Sequence, residues 1–516
     1  MISIGGKKLG LDQIEDVLFN GKSVELSAES LEEIRKSHQF LVEFSKDKVI
    51  YGINTGFGPM AQYLIDKKDT EQLQYNLIRS HSAGSGRRLF PEEVKAVMLA
   101  RLNTLMLGFS GVHEDSVALL RDLINKNITP EIFEHGGVGA SGDLVQLAHL
   151  ALFLIGEGYG MFEGKRMTAA DIFKKVGLTP LKIKLREGLG IMNGTAAMTG
   201  IGVHNILSAY RLIHWTILAS SMVNEIVASY DDHLSKELHH SKLHEGQRVV
   251  ADLMTQVLKG SKRIKKRKIH LYDKKVETEV FEDKVQEYYS LRCVPQILGP
   301  VLDTIEFAEK TLIDEINSAN DNPIIDHKNK DVYHGGNFHG DYIGLEMDKL
   351  KIAITKMSML VERQLNHLVN DKLNNKLPPF INMGKLGFNF GIQGMQFVAV
   401  STTAENQSLC FPMYVHSIPN NNDNQDIVSM GTNASLICKK VIKNSFEILS
   451  IHFIAIIQAV DCLAIQDELS DISKKYYDEF RALVPVFIED SPKSDEITKV
   501  KLFLNDHRPT FQNRSK

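Results

Sequence analysis

Between residues 350 and 368, the apolar side chains Leu350, Ile354, Met357, Val361, Leu365 and Leu368 follow one another at steps of 4, 3, 4, 4 and 3. Those steps put all six on one stripe of an α-helix, whereas a strand would need steps of two to bring them to one face. Proline is scarce, 14 in 516 residues, and the segments 196–230 and 431–466 contain none, so nothing in them forces a helix to stop. Strand-like alternation is scarce and local, as in KVIYGI (48–53). No recurring alternation of strands and helices suggests a parallel sheet. The expectation is an all-α (mainly α) fold. Residues 1–190 form a loop-rich N-terminal domain, and residues 191–516 form a long central helical bundle with C-terminal helices.

Charge and cysteine usage narrow the function classes. A formal net charge of −4 with 24% charged residues is ordinary for a globular chain and suggests neither nucleic acid nor a membrane surface as the main partner. No apolar run approaches the roughly 18 residues of a membrane span, and the start, MISIGGKKLGLDQIEDVLF, lacks the layout of a signal peptide. Cys293, Cys410, Cys438 and Cys462 lie far apart without CxxC pairing. They read as buried thiols in a reducing cytoplasm, with neither a disulfide frame nor a metal site. The basic run from Lys262 to Lys268 is followed by Glu277, Glu279, Glu282 and Asp283. Mixed charge of this kind reads as a solvated excursion between two helices.

Residues 136–143, GGVGASGD, contain a G-x-G-x-x-G at Gly137, Gly139 and Gly142 and run into the apolar segment LVQLAHLALFLI. A dinucleotide-binding turn needs a buried strand before the glycines and a second parallel strand after the helix. Upstream stands NKNITPEIFEH, with a proline and charges, so the context argues against a nicotinamide-dependent dehydrogenase. A plain turn with Asp143 near a helix N-terminus would be adequate physically. The tripeptide Ala140-Ser141-Gly142 calls for more.

Seven segments carry a resemblance over nearly the whole chain: YGINTGFG (51–58), GGVGASGDL (136–144), MNGT (192–195), QEYYSLRCVPQ (286–296), NSANDNP (317–323), GGNFHG (335–340) and NQDIVSMG (424–431). In this order they resemble the aromatic amino-acid ammonia-lyase family, which comprises histidine, phenylalanine and tyrosine lyases and the related aminomutases. The resemblance is greatest to bacterial tyrosine ammonia-lyases of flexirubin-type pigment pathways. It implies that Ala140-Ser141-Gly142 cyclises autocatalytically, with loss of water, to methylidene-imidazolone (MIO), an electrophile that no ordinary side chain supplies. No external cofactor is then needed. The residue types suit that closure: Gly142 offers an unhindered amide nitrogen, Ser141 a hydroxyl to lose, and Gly136, Gly137 and Gly139 a permissive backbone.

The resemblance assigns further roles. Tyr51 corresponds to the catalytic base; a free phenol, with a pKa of about 10, is a poor base at neutral pH, so the site must activate it. Gly52, Gly56 and Gly58 could let its loop close as a lid. Arg292 corresponds to the arginine that grips the substrate carboxylate through two parallel hydrogen bonds. Gln286 and Tyr289 precede it by six and three residues, one face of a helical turn or two, and help to place the amine. Asn193 corresponds to the residue bonded to the prosthetic group, and Phe338 to another catalytic position. Leu144, Asn322, Asn421 and Asn424 correspond to substrate-lining positions. One departure is Val145-Gln146, where most members carry Ala-Pro after SGDL. Gln146 can donate a helical amide hydrogen bond that proline cannot.

The substrate markers disagree. Ser80-His81 is the pair usual in histidine lyases, but histidine lyases also place a glutamate where this chain has Gln425. A carboxylate holds an imidazole N–H through a charge-assisted bond that a neutral amide does not match, and His81 remains as a partner for a ring hydroxyl. Tyrosine therefore leads, giving p-coumarate, with histidine second and phenylalanine third; an aminomutase shares the whole constellation. A dead scaffold would be expected to lose Ser141, Tyr51 or Arg292, and all three are present. The resemblance implies a homotetramer with sites completed by several subunits.

Overall fold

The stripe from Leu350 to Leu368 lies on the helix Asp341–Val369, and all six residues are buried. The proline-free segments form the helices Ala196–Val227 and Gly431–Leu463, of 32 and 33 residues. The computed structural model describes residues 1–46, 48–273, 279–281 and 284–510. Among them every strand is two to four residues long, and the fold is mainly α. The chain divides into two units: Met1–Leu207 with Ala308–Asp348 and Pro412–Lys439, and Ser208–Phe307 with Lys349–Phe411 and Lys440–Lys516.

In the first unit, short strands do occur just before the glycine-rich loop, at Thr129–Pro130 and Phe133–His135. They pair antiparallel, with Tyr159–Phe162 and Ser85–Arg88 respectively. The one parallel pair of strands among the described residues, Ile2–Ile4 with Val24–Leu26, lies elsewhere. KVIYGI makes no strand. Its residues 51–53 form a turn in which Gly52 takes φ +74°, and both Ile50 and Ile53 enter one apolar cluster with Leu41 and Ile325. A left-handed backbone breaks the alternation that the side chains suggest.

In the second unit Trp215 is fully buried among Phe453, Tyr476, Phe480 and Phe503, with ring centroids 5.3–5.7 Å away. Its indole N–H donates to the carbonyls of Leu504 and His507, so the polar atom of the largest core side chain is satisfied. Among the described residues, two helices are long and apolar enough, by length and composition, to cross a membrane. They are Ala196–Val227 and Gly431–Leu463, and 83% and 78% of their most apolar windows is buried within the protein. Serine, asparagine and histidine punctuate both helices, which is why no unbroken apolar run marks them.

Arg263 and Arg267 of the basic run pair with Glu468 and Asp232, and no residue of the short helix Lys268–Tyr272 is buried. Glu277, Glu282 and Asp283 lie outside the described residues. None of the four cysteines forms a disulfide; Cys438 is buried, while Cys293, Cys410 and Cys462 are only partly so, against the expectation of buried thiols.

His452 is fully buried on the helix Gly431–Leu463, and both ring nitrogens lack a partner. Burial pushes its pKa down to about 3. A depressed histidine supports the fold above its unfolded value of 6.5 and loses that support as pH falls towards the folded value. His452→Leu should therefore gain on wild type as pH falls from 7 to 4, by roughly 1.4 kcal/mol per unit below 6.5 at most. Melting temperatures across that range test this; a constant difference contradicts it.

Candidate active site

Four positive-φ glycines shape the loop: Gly136, Gly139 and Gly142 within it and Gly194 beside it, at φ +126°, +73°, +72° and +148°. Gly142 and Gly194 form a parallel bridge, and the Asp143 N–H donates to the Gly194 carbonyl at 2.8 Å. A Cβ on Gly142 would lie 2.1 Å from that carbonyl oxygen, so only glycine fits. Ala140 is buried against Val428 and Met430. The Gly139 carbonyl accepts from the Ser429 hydroxyl and the Gly340 N–H, at 3.0 and 3.1 Å.

Asparagines hold the loop from one side. Asn193 Nδ2 donates to the Ser141 carbonyl at 2.9 Å, and Asn193 Oδ1 accepts from the Asn322 N–H at 2.8 Å. Asn322 Oδ1 in turn accepts from the Gly335 N–H at 2.7 Å. On the other side Gln425 Nε2 donates to Ser141 Oγ at 2.9 Å. Gln425 reaches this place through a tight turn in which Asn421, Asn422 and Asp423 all adopt left-handed φ, closed by hydrogen bonds in both directions between Asn420 and Gln425. Asparagine and aspartate tolerate that conformation better than other side chains.

A cavity of about 350 Å³ opens over the loop. His81, Gly136, Ser141, Gly142, Leu144, Val145, Asn421 and Gln425 line it, and so do Val138 and Asn420, which the sequence did not single out. No Asp or Glu lines the cavity among the described residues. His81 Nδ1 lies 3.0 Å from the Leu77 carbonyl, which can only accept, so Nδ1 carries the proton and Nε2 keeps a lone pair in the neutral ring. Ser80 instead donates to the Leu77 carbonyl at 3.1 Å and is exposed.

Tyr51 lies on the turn after Ile50, and its hydroxyl oxygen accepts the Gly58 N–H at 3.2 Å. Gly58 adjoins the cavity: a Cβ there would lie 2.7 Å from Asn421 Nδ2. Asn424 is exposed and does not line the cavity, while Phe338 sits half-buried in the turn before Gly340. Gln286, Tyr289 and Arg292 belong to the second unit. There the helix covers only Tyr289–Arg292, and Gln286 lies in an exposed bend before it, so the three do not share a helix face. The Arg292 guanidinium packs over the Tyr289 ring at 4.8 Å, and its Nε is buried without a partner.

The sequence reading missed the polar core beneath the loop. Asp143 makes no side-chain cap for its own helix, Leu144–Leu154. Its carboxylate accepts from the Met198 N–H at 2.8 Å and from the Thr432 hydroxyl, near the starts of the helices Ala196–Val227 and Gly431–Leu463. Burial pushes its pKa up to about 6, against the pull of those donors. Arg101 and Arg186, both wholly buried, converge on Asp321, and Arg101 also donates to Asn320 Oδ1 at 3.2 Å. Burial lowers Arg101 to about 10, which leaves it charged at neutral pH. The one sequence signal for this core was the Asp321 inside NSANDNP; nothing local marks Arg101 or Arg186.

The family described as aromatic amino acid lyase matches residues 9–482. A tyrosine 2,3-aminomutase of Chondromyces crocatus is 38% identical over 510 residues, covering 98% of this chain and 96% of that protein. A histidine ammonia-lyase of Bacillus subtilis is also 38% identical, covering 100% and 99%. The crystal structure of a tyrosine aminomutase from Streptomyces globisporus superposes with a TM-score of 0.94 at 36% identity, covering 98% of this chain and 96% of that one.

Asp143 sets a pH signature. Its folded pKa of about 6 lies above the ordinary 3.8, so its contribution to stability is complete below 3.8 and lost as pH rises through about 6. The melting temperature of Asp143→Asn relative to wild type should rise from pH 4 to pH 7. A difference that stays flat over that range would show that the carboxylate is not buried as described.

Proposed function

The chain belongs to the aromatic amino acid lyase family, whose members are carbon–nitrogen lyases and related aminomutases, and within it we propose that it eliminates ammonia from L-tyrosine to give p-coumarate. One observation carries the choice of substrate. The ring end of the cavity offers His81, whose Nε2 can accept a phenol O–H while Nδ1 faces the Leu77 carbonyl, and among the described residues no carboxylate lines the cavity to hold an imidazole. A buried phenol without an acceptor would cost about 1–3 kcal/mol.

The residues present suit a MIO group built from Ala140-Ser141-Gly142. Gly142 is held where no side chain fits, Asn193 grips the Ser141 carbonyl, and Gln425 meets the hydroxyl that would leave. Once formed, the group supplies the electrophile that makes the substrate amine a leaving group. The other roles fall to side chains. Tyr51, once its own phenol proton has passed to solvent, takes the β-proton at the phenolate oxygen, which the Gly58 N–H orients. Arg292 binds the carboxylate bidentately and so fixes the α-carbon. His81 fixes the ring. Gln286 and Tyr289 are exposed on the second unit, as expected of side chains that complete the site of another copy in a homotetramer. Four cysteines without a disulfide accord with a cytoplasmic location.

A tyrosine aminomutase is the second reading, supported by the Chondromyces relative. It shares substrate and machinery and differs in whether ammonia re-adds before release.

Tyrosine, histidine and phenylalanine assayed side by side should give the highest kcat/KM for tyrosine, with p-coumarate and ammonia released. Faster urocanate formation from histidine overturns the substrate, and β-tyrosine as main product overturns the lyase reading. His81→Phe should shift preference towards phenylalanine, and Gln425→Glu should impair tyrosine turnover. Intact wild-type protein should weigh two waters less than its sequence, and Ser141→Ala should lose that deficit and nearly all turnover. An unmodified mass in fully active enzyme would exclude MIO.

A further inference from the structure

Val145-Gln146 breaks the usual family pattern at the start of the helix Leu144–Leu154, which leaves directly from the loop. Gln146 is wholly buried, and its side-chain amide donates to two carbonyls, Phe133 at 3.2 Å and Glu134 at 3.1 Å. A proline there could supply neither bond. Those carbonyls lie on the strand Phe133–His135, whose pairing with Ser85–Arg88 slips in register between Arg88–Phe133 and Ser85–His135. The glutamine thus supports a pair of strands that hold one another imperfectly.

One helical turn later, His149 Nε2 accepts the Gly84 N–H at 3.0 Å, and its ring meets Phe133 edge-on at 5.1 Å. A Cβ on Gly84 would lie 2.9 Å from Nε2, so this contact depends on glycine. Gly84 stands three residues after His81 and directly before Ser85–Arg88. The helix that begins at the MIO tripeptide therefore grips, at two points, the strand pair into which the His81 segment runs.

We infer that Gln146 and His149 are positioning residues that set His81 against Ser141 and thereby determine ring selectivity without touching the substrate. The inference rests on His81 being the ring partner, as proposed above. Burial holds the His149 imidazole below its ordinary pKa, so at neutral pH Nε2 has the lone pair that Gly84 needs. Gln146 Oε1 is buried without a partner, a cost that an apolar side chain of similar length would not carry. The benefit of the glutamine therefore comes from its two donated bonds, and Gln146→Met removes them with little change of shape.

The test measures kcat and KM for tyrosine and phenylalanine in Gln146→Met, His149→Leu and His149→Gln, with intact mass and melting temperature. Gln146→Met and His149→Leu should each lower the tyrosine-to-phenylalanine ratio of kcat/KM by about tenfold, chiefly through KM for tyrosine, because a displaced partner weakens ring binding. The two-water deficit should persist in both. His149→Gln, which keeps an acceptor near the Nε2 position, should retain the wild-type ratio. An unchanged ratio in Gln146→Met overturns the inference, as does an equal fall in kcat for both substrates or a His149→Gln that behaves like His149→Leu. Should His149→Leu fail to fold, Gln146→Met decides alone. Should wild type prefer histidine, the substrate reading fails separately, and the same variants then test the clamp through the histidine-to-phenylalanine ratio.

Discussion

The site depends on one close approach, the passage of the Gly142 backbone along the Gly194 backbone. A Cβ on Gly142 would meet the Gly194 carbonyl at 2.1 Å, and one on Gly194 would meet Arg101 Nη1 at 2.5 Å. Glycine at both positions lets two segments some fifty residues apart in the chain share a bridge. From that bridge Asn193 reaches the Ser141 carbonyl, and the helix Ala196–Val227 starts where Met198 can donate to Asp143. Any side chain on either glycine would separate the loop from the groups that hold it.

The electrostatics follow from the same packing. Asp143 is buried at the starts of two helices, where unpaired N–H groups and the helix dipole favour a negative charge. Without those donors, burial would raise its pKa above about 6. Behind the asparagines, Arg101 and Arg186 set two positive charges against the single carboxylate of Asp321. Burying such a cluster is costly, and the ion pairs with Asp321 offset part of that cost. At the cavity wall, the Leu77 carbonyl holds His81 in one tautomer by accepting its Nδ1 proton.

The long helices were legible because their signal is local: steps of three and four, and the absence of proline. KVIYGI failed as a strand because Gly52 turns left-handed and sends Ile50 and Ile53 into the same cluster. Gln286 failed as a helix neighbour of Arg292 because the helix begins only at Tyr289. Asp143 looked like a cap for its own helix, yet its carboxylate serves the starts of two others. For Asp143 the residue type was right for a local rule, and contacts distant in sequence overrode it.

By itself the sequence determined the mainly helical fold, the tripeptide and its glycine setting, and the family, because these rest on spacing and on runs of residue types that need no knowledge of distant contacts. The folded chain alone decided which polar groups meet. It brought Asn193 and Asn322 into one hydrogen-bonded relay, turned Gln425 onto Ser141 through three left-handed residues, and left Asn424 exposed one position away. It also tied Gln146 to the strand Phe133–His135 and His149 to Gly84, just after the segment that carries His81. A hydrogen bond needs its atoms within about 3 Å and aligned, and no regular spacing along the chain encodes that for residues so far apart in sequence.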